Sequence, residues 1–216
     1  MKIAMIFAAG RGERLRPITD VTPKSMCKIN NIPLIEYHVK NLSKAGFERI
    51  VINHAHLGGK IRQYLGNGER FGVEICYSPE PPGALETLGG IINALPLLGN
   101  DSFVTVNADI FTDYNFAKLK LPAKSLAHLV LVEKPSYSQS GDFGLTKSSY
   151  IDNLKKTYTF SGIACYRQEL FQNIKFCRSS ITPLLRQLAL NNEATGEIYK
   201  GKWFDIGTKE RLNMCF

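Results

Sequence analysis

Short apolar runs alternate along this chain with stretches whose apolar positions recur every three or four residues. Ile3–Phe7 is a continuous apolar run of the length of a buried strand. From Pro33 to Ala45 the apolar residues fall at 34, 35, 39 and 42, one side of a helix, and Gly46 supplies the stop. Arg49–Asn53 reads as a strand, Leu57–Leu65 as a short helix closed by Gly66, and Val73–Tyr77 as the next strand. Leu85–Leu95 is then a helix and Ser102–Asn107 a strand. After Asp113 the alternation loosens. Ala127–Val132 and Tyr158–Tyr166 read as strands, and Ser136 to Asp142 as a polar loop. Ser180–Asn191 reads as a helix capped by Ser179 or Ser180, Trp203–Asp205 as a short strand, and Thr208 to Met214 as a closing helix. The pattern predicts an α/β fold, three-layer and Rossmann-like, around a mixed, mostly parallel sheet.

The 216 residues are enough for one domain with a sizeable core. No run of about 18 apolar residues occurs, so no membrane span is expected. Met1-Lys2-Ile3 leads straight into the first strand without a signal-peptide pattern. The five cysteines (27, 76, 165, 177 and 215) are odd in number and form no C-x-x-C pair, which argues against zinc and a disulfide framework. A reducing cytoplasm is the expected location. The net charge of +8, from 27 basic and 19 acidic residues, raises the question of nucleic acid. No basic run of five and no aromatic-interleaved basic motif supports that reading, so no nucleic-acid partner is expected.

Part of the positive excess sits directly after the first strand. Gly10 and Gly12 let the backbone turn and approach a ligand, and unpaired N–H groups in such a loop cradle phosphate oxygens. Arg11, Arg14, Arg16 and Lys24 add charge where a polyphosphate would lie. Leu15 stands where the dinucleotide fingerprint needs a third small residue, and Gly12-Glu13-Arg14 is not the end of a P-loop. The segment Gly10–Thr19, G-x-G-x-R-x-x-P-[LI]-T, followed by Pro23-Lys24, resembles the signature of the sugar-1-phosphate nucleotidyltransferases.

The resemblance extends over nearly the whole chain and implies the nucleotide-diphospho-sugar transferase type of sheet. It implies one domain over 1–216, with residues 1–113 mainly binding nucleotide and 114–216 mainly binding sugar. Ala9, Gly10, Gly12, Glu13, Arg14, Lys24, Glu86, Gly89 and Asn107 are the candidate nucleotide contacts, with Arg14 and Lys24 as catalytic cations. Asn107-Ala108-Asp109 matches a segment whose Asp holds Mg²⁺, with Ala108 where Gly is usual. Trp203-Phe204-Asp205-Ile206-Gly207-Thr208 matches W-x-D-x-G-T, which implies Asp205 as second metal ligand and sugar neighbour, while Trp203 packs in the core. Glu86-Thr87-Leu88-Gly89-Gly90 is similar to a base-contacting segment, Leu88 replacing a glycine; a plain helix start is the other reading.

Asp142 and Gly162, the latter in Phe160-Ser161-Gly162, are candidate sugar contacts, Asp142 being equally a loop residue. Glu133-Lys134-Pro135 invites comparison with a Glu-Lys-Pro motif of longer members, but its place before Gly141-Asp142-Phe143 suggests another register. His54 and His56 lack a third ligand at metal spacing, so packing is the preferred reading. Runs such as Val51–Gly58, Gly66–Gly72 and Tyr77–Glu80 are most similar to short uridylyltransferase members, which favours UTP with a sugar 1-phosphate. GTP with mannose 1-phosphate is the rival pair, and a non-catalytic nucleotide-sugar sensor the alternative of another class. A monomer or small homo-oligomer is expected.

Overall fold

The computed structural model describes residues 2–213; Met214, in the predicted closing helix, and Cys215 lie outside them. In chain order the strands are β1 Ile3–Phe7, β2 Lys28–Ile29, β3 Ile32–Pro33, β4 Arg49–His54, β5 Glu74–Pro79, β6 Phe103–Asn107 and β7 Ile110–Thr112. There follow β8 Ala127–Glu133, β9 Gly144–Leu145, β10 Ile151–Asp152, β11 Tyr158–Tyr166, β12 Ala194–Tyr199 and β13 Trp203–Asp205. The helices are α1 Ile18–Val21, α2 Leu34–Lys44, α3 Gly58–Leu65, α4 Glu86–Leu98, α5 Thr182–Leu190 and α6 Lys209–Asn213.

Seven strands form the central sheet in the order β12-β8-β11-β6-β1-β4-β5. β1 pairs in parallel with β4 and β6, β4 with β5, and β12 with β8; β11 alone runs antiparallel to its neighbours. The sheet is therefore mixed and mostly parallel, as the alternation of patterns predicts, and it takes strands from both halves of the chain.

Alternation along each strand divides the core in two. Ala4 and Ile6 of β1, Ile50 and Ile52 of β4, and Val104 and Val106 of β6 face Ile35, Val39 and Leu42 of α2 and Ile61 and Leu65 of α3. Met5, Val51 and Phe103 face the opposite way, against Leu88, Ile91, Ala94 and Leu98 of α4 and Leu185 and Leu188 of α5. Each such aliphatic side chain, taken fully from water, contributes about 1.5–3 kcal/mol, which is why the two apolar faces must both be covered by helices.

α4 runs one turn beyond the expected Leu95, through Pro96, and Gly99 at φ 70° ends it. Its apolar face buries Leu98, and that packing outweighs the local preference against proline. α5 starts two residues later than expected; the Ser180 hydroxyl accepts from the Thr182 N–H, and Pro183 fits the first turn. β12 and β7 have no counterpart in the apolar pattern. The ribbon β7–β13 stands outside the central sheet.

Candidate active site

The loops that follow β1, β4, β5 and β6 open at the carboxyl ends of parallel strands, where ligands of such sheets bind. They enclose a first cavity of about 250 Å³, lined among others by Ala9, Gly10, Lys24, Glu86, Asn107 and Asp109. A hydrogen-bonded relay ties three of these loops together. The Ala8 N–H donates to Asn53 Oδ1 (2.8 Å), Asn53 Nδ2 donates to Glu80 Oε1 (2.6 Å), and the Leu85 N–H donates to Glu80 Oε2 (2.7 Å). Burial raises the Glu80 carboxyl above the usual carboxylate range, opposed by those two donors. At the entry to α4, Ala84 and Glu86 hold positive φ of 58° and 60°. Backbone strain of this kind is sustained where the surrounding structure fixes it.

The glycines of the first loop differ in role. Gly12 has φ 71°, and a Cβ there would meet Thr19 Cγ2 at 2.9 Å, so its conformation and its neighbours both require glycine. Gly10 has nothing within 4 Å of where a Cβ would stand and lines the cavity, which leaves its backbone open to close approach.

The four cations are divided as well. Arg11 binds Asp20 (2.7 Å) and the Thr19 carbonyl (2.6 Å), and Arg16 binds Asp20 (2.9 Å). The Arg11 guanidinium holds the Asp20 carboxyl below its ordinary range. Both arginines thus brace the loop, and of the four cations expected along a polyphosphate Lys24 alone lines the first cavity. Lys24 reaches Asp109 at the cavity wall. Arg14 is exposed and makes no ion pair among the described residues. A Cβ on Gly207 would lie 2.9 Å from Arg14 Nη2 and 3.1 Å from Asp205 Oδ1, so Arg14 stands beside Asp205.

A second cavity, of about 600 Å³, is lined among others by Glu133, Lys134, Tyr137, Lys200, Trp203 and Asp205. Glu133-Lys134-Pro135, which sequence spacing places in another register, therefore forms part of its wall. Arg211 donates to Asp205 Oδ2 (2.5 Å) and lies 3.8 Å over the Tyr137 ring. Backbone pairing at the β7–β13 ribbon links the walls of the two cavities. Asp205 pairs with Ile110, and the Ile206 N–H donates to the Asp109 carbonyl (2.8 Å). Asp109, in the turn before β7, thus lines the first cavity, and Asp205, at the end of β13, the second.

His38 of α2 holds the same ribbon from behind. Its Nε2 lies 2.8 Å from the Ile110 carbonyl, so Nε2 carries the proton, and the buried Nδ1 has no partner among the described residues. Asn107 is held by the β-bulge of β11 between Phe160 and Ile163, where Gly162 adopts φ 83°. A Cβ on Gly162 would lie 2.6 Å from Asn107 Nδ2. Gly162 therefore acts through Asn107 and lines neither cavity. Asp142 also lines neither; its carboxylate accepts from the Phe160 N–H (2.9 Å). Gly12 and Glu13 are likewise outside the lining of both cavities. Gly89 packs against the Cys177 carbonyl, and it is Gly90 that abuts Glu80 and Asn53. Ser25, also in the first cavity wall, has a buried hydroxyl without a partner among the described residues.

Asn53 and Glu80, polar residues of the first cavity wall, escaped the sequence reading as site residues. Their signal is position, since Asn53 is the last residue but one of β4 and Glu80 follows β5, both at carboxyl strand ends. Trp203 packs against the core, with Nε1 donating to the Ser161 carbonyl (2.9 Å). His54 packs edge-on against Tyr77, and His56 bonds the Thr19 carbonyl (3.1 Å). Among the described residues no helix is long and apolar enough to cross a membrane.

Comparison with known proteins agrees with this geometry. The chain is 47% identical over 97% of its length, and 94% of the other's, to an N-acetylmuramate alpha-1-phosphate uridylyltransferase of Neisseria meningitidis. It is 27% identical to the enzyme of that name in Caulobacter vibrioides, over 95% of this chain and 92% of the other. The crystal structure of HddC from Yersinia pseudotuberculosis complexed with GMP-PN superposes with a TM-score of 0.81 at 18% identity, covering 100% and 98% of the two chains. Residues 3–214 match the family described as nucleotidyl transferase, and the chain belongs to that family.

Proposed function

We propose that this protein transfers a uridylyl group from UTP to N-acetylmuramate 1-phosphate, forming UDP-N-acetylmuramate and releasing pyrophosphate. The likeness to the Neisseria enzyme over almost the full length of both chains supports this choice of base and sugar. The observation that carries the reaction class is a pair of cavities whose walls, with Asp109 in one and Asp205 in the other, are joined by backbone pairing at the β7–β13 ribbon.

In this reading the first cavity holds the nucleoside triphosphate and the second the sugar. An oxygen of the sugar phosphate attacks the α-phosphorus as the bond from that phosphorus to the bridging oxygen of the β-phosphate breaks. A phosphate monoester is ionised near neutral pH, so the reaction needs no general base, and positioning plus charge stabilisation suffices. The backbone from Ala9 to Gly12 follows the phosphates. Lys24, placed against Asp109, turns its ammonium to the α-phosphate, and Arg14 beside Asp205 presents its fork to the leaving pyrophosphate. Asn107, wedged by Gly162, and the strained loop at Ala84–Glu86 frame the nucleoside.

Asp109 and Asp205 also suit Mg²⁺. They are hard oxygen donors on segments joined by the hydrogen bond from the Ile206 N–H to the Asp109 carbonyl, and each is matched here by a cation, Lys24 or Arg211. Bound there, Mg²⁺ would supply charge neutralisation between the phosphates of the two substrates.

The test is pyrophosphate release with Mg²⁺, crossing UTP, GTP, CTP and dTTP with the 1-phosphates of N-acetylmuramate, N-acetylglucosamine, glucose and mannose. The expected signal comes from UTP with N-acetylmuramate 1-phosphate, is lost on chelation by EDTA, and falls by at least about a hundredfold in Asp109→Asn. A signal with GTP and mannose 1-phosphate would instead make it a guanylyltransferase. Tight nucleotide-sugar binding without turnover would make it a sensor.

A further inference from the structure

The second cavity carries cations as well as the carboxylates of Glu133 and Asp205. Three cations line it, and two have work inside the fold. Arg211 serves Asp205, and Lys134 donates to the Ser138 carbonyl (2.7 Å), closing the 134–138 turn. Lys200 has neither an ion pair nor a hydrogen bond from its ammonium among the described residues. Its backbone is nevertheless firmly placed. Tyr199 pairs with Val132 at the end of β12, which sets Lys200 beside Glu133 across the strand pair. On the other side Asp113 binds the Tyr199 hydroxyl and accepts from the Lys202 N–H (2.8 Å), so the 199–202 turn is pinned at both ends. A Cβ on Gly201 would stand 2.1 Å from the Tyr199 hydroxyl oxygen, which keeps that turn tight.

We propose that Lys200 is a specificity-determining residue that binds the lactyl carboxylate of the sugar substrate; the proposal rests on the uridylyltransferase reading above. N-acetylmuramate is N-acetylglucosamine with a lactic-acid ether on O3, so this carboxylate is what separates the two sugars. The cavity volume lies within the usual range for small-ligand sites, roughly 300–1,000 Å³, and accommodates the additional group. Glu133 in the same wall would repel a second carboxylate, and the ammonium of Lys200 offsets that repulsion from the neighbouring strand. A cation held at the rim by a rigid turn discriminates by charge without taking part in the chemistry at phosphorus.

The experiment compares kcat/KM for N-acetylmuramate 1-phosphate with that for N-acetylglucosamine 1-phosphate, both with UTP, in the wild type, Lys200→Gln and Lys200→Arg. The expected result is a selectivity ratio about tenfold or more lower in K200Q, largely through KM, and kept within about threefold by K200R. Lys200 is exposed, so an unchanged melting temperature will show that K200Q is folded. A ratio in K200Q within about twofold of the wild type, or an equal loss on both sugars, overturns the assignment. A wild type that turns over other sugar 1-phosphates but not N-acetylmuramate 1-phosphate overturns the uridylyltransferase reading instead, and this proposal with it.

Discussion

Asp20 decides what the arginines after β1 can do. It binds Arg11 and Arg16 and leaves Arg14, which has no ion pair among the described residues, pointing toward Asp205. An exposed guanidinium that supports nothing in the fold has little effect on stability. Arg14→Ala is therefore expected to lower kcat by about two to three orders of magnitude, the usual effect of removing one transition-state donor, with an unchanged melting temperature. Near-normal kcat in that variant would remove Arg14 from the proposed role. Arg14 is marked by its motif but lines neither cavity. Gly10, Lys24, Asn107 and Asp109, all in the first cavity wall, were legible because motif spacing marks them. Asn53 and Glu80 were not. A lone Asn or Glu carries no signal of its own, and only the sheet order β5-β4-β1 brings them to the loop they brace.

Among the elements, the bulge of β11 is the device that links core to site. Gly162→Ala would place a methyl group 2.6 Å from Asn107 Nδ2 at a positive φ. A cost of about 1 kcal/mol or more is expected from the backbone alone. The displaced Asn107 should weaken UTP binding as well, so a lower melting temperature and a raised KM for UTP should appear together. A raised melting temperature with normal KM would contradict the wedge. The strong strands and all the long helices could be read from periodicity, because burial on one or both faces leaves a plain apolar signature. β12 could not, since Ala194-Thr195-Gly196-Glu197 is half polar; Thr195 and Glu197 bond His128 and Tyr114. β7 escaped because three residues are too few to carry a period. Yet that short ribbon, with β13, sets Asp109 beside Asp205.

For the molecule as a whole, His38 makes stability depend on pH. Complete burial lowers its pKa from 6.5 to about 4, so the ring is neutral in the folded chain. Between these values the unfolded chain binds a proton that the folded one refuses, and stability falls as pH drops from 6.5 toward 4. The shift corresponds to a loss of about 3 kcal/mol when complete. His54 is lowered by burial too and acts in the same direction. The urea midpoint should thus be lower at pH 5 than at pH 7, with a smaller difference in His38→Gln; an equal difference in that variant would exclude His38 as a main source. The order of elements along the chain has a further consequence. All seven strands of the central sheet are complete at Tyr199, whereas Asp205 comes later on a ribbon that the sheet does not need. Scaffold and chemistry are thus separable along the chain: a chain cut after Tyr199 would keep every strand of the central sheet and lose the second carboxylate.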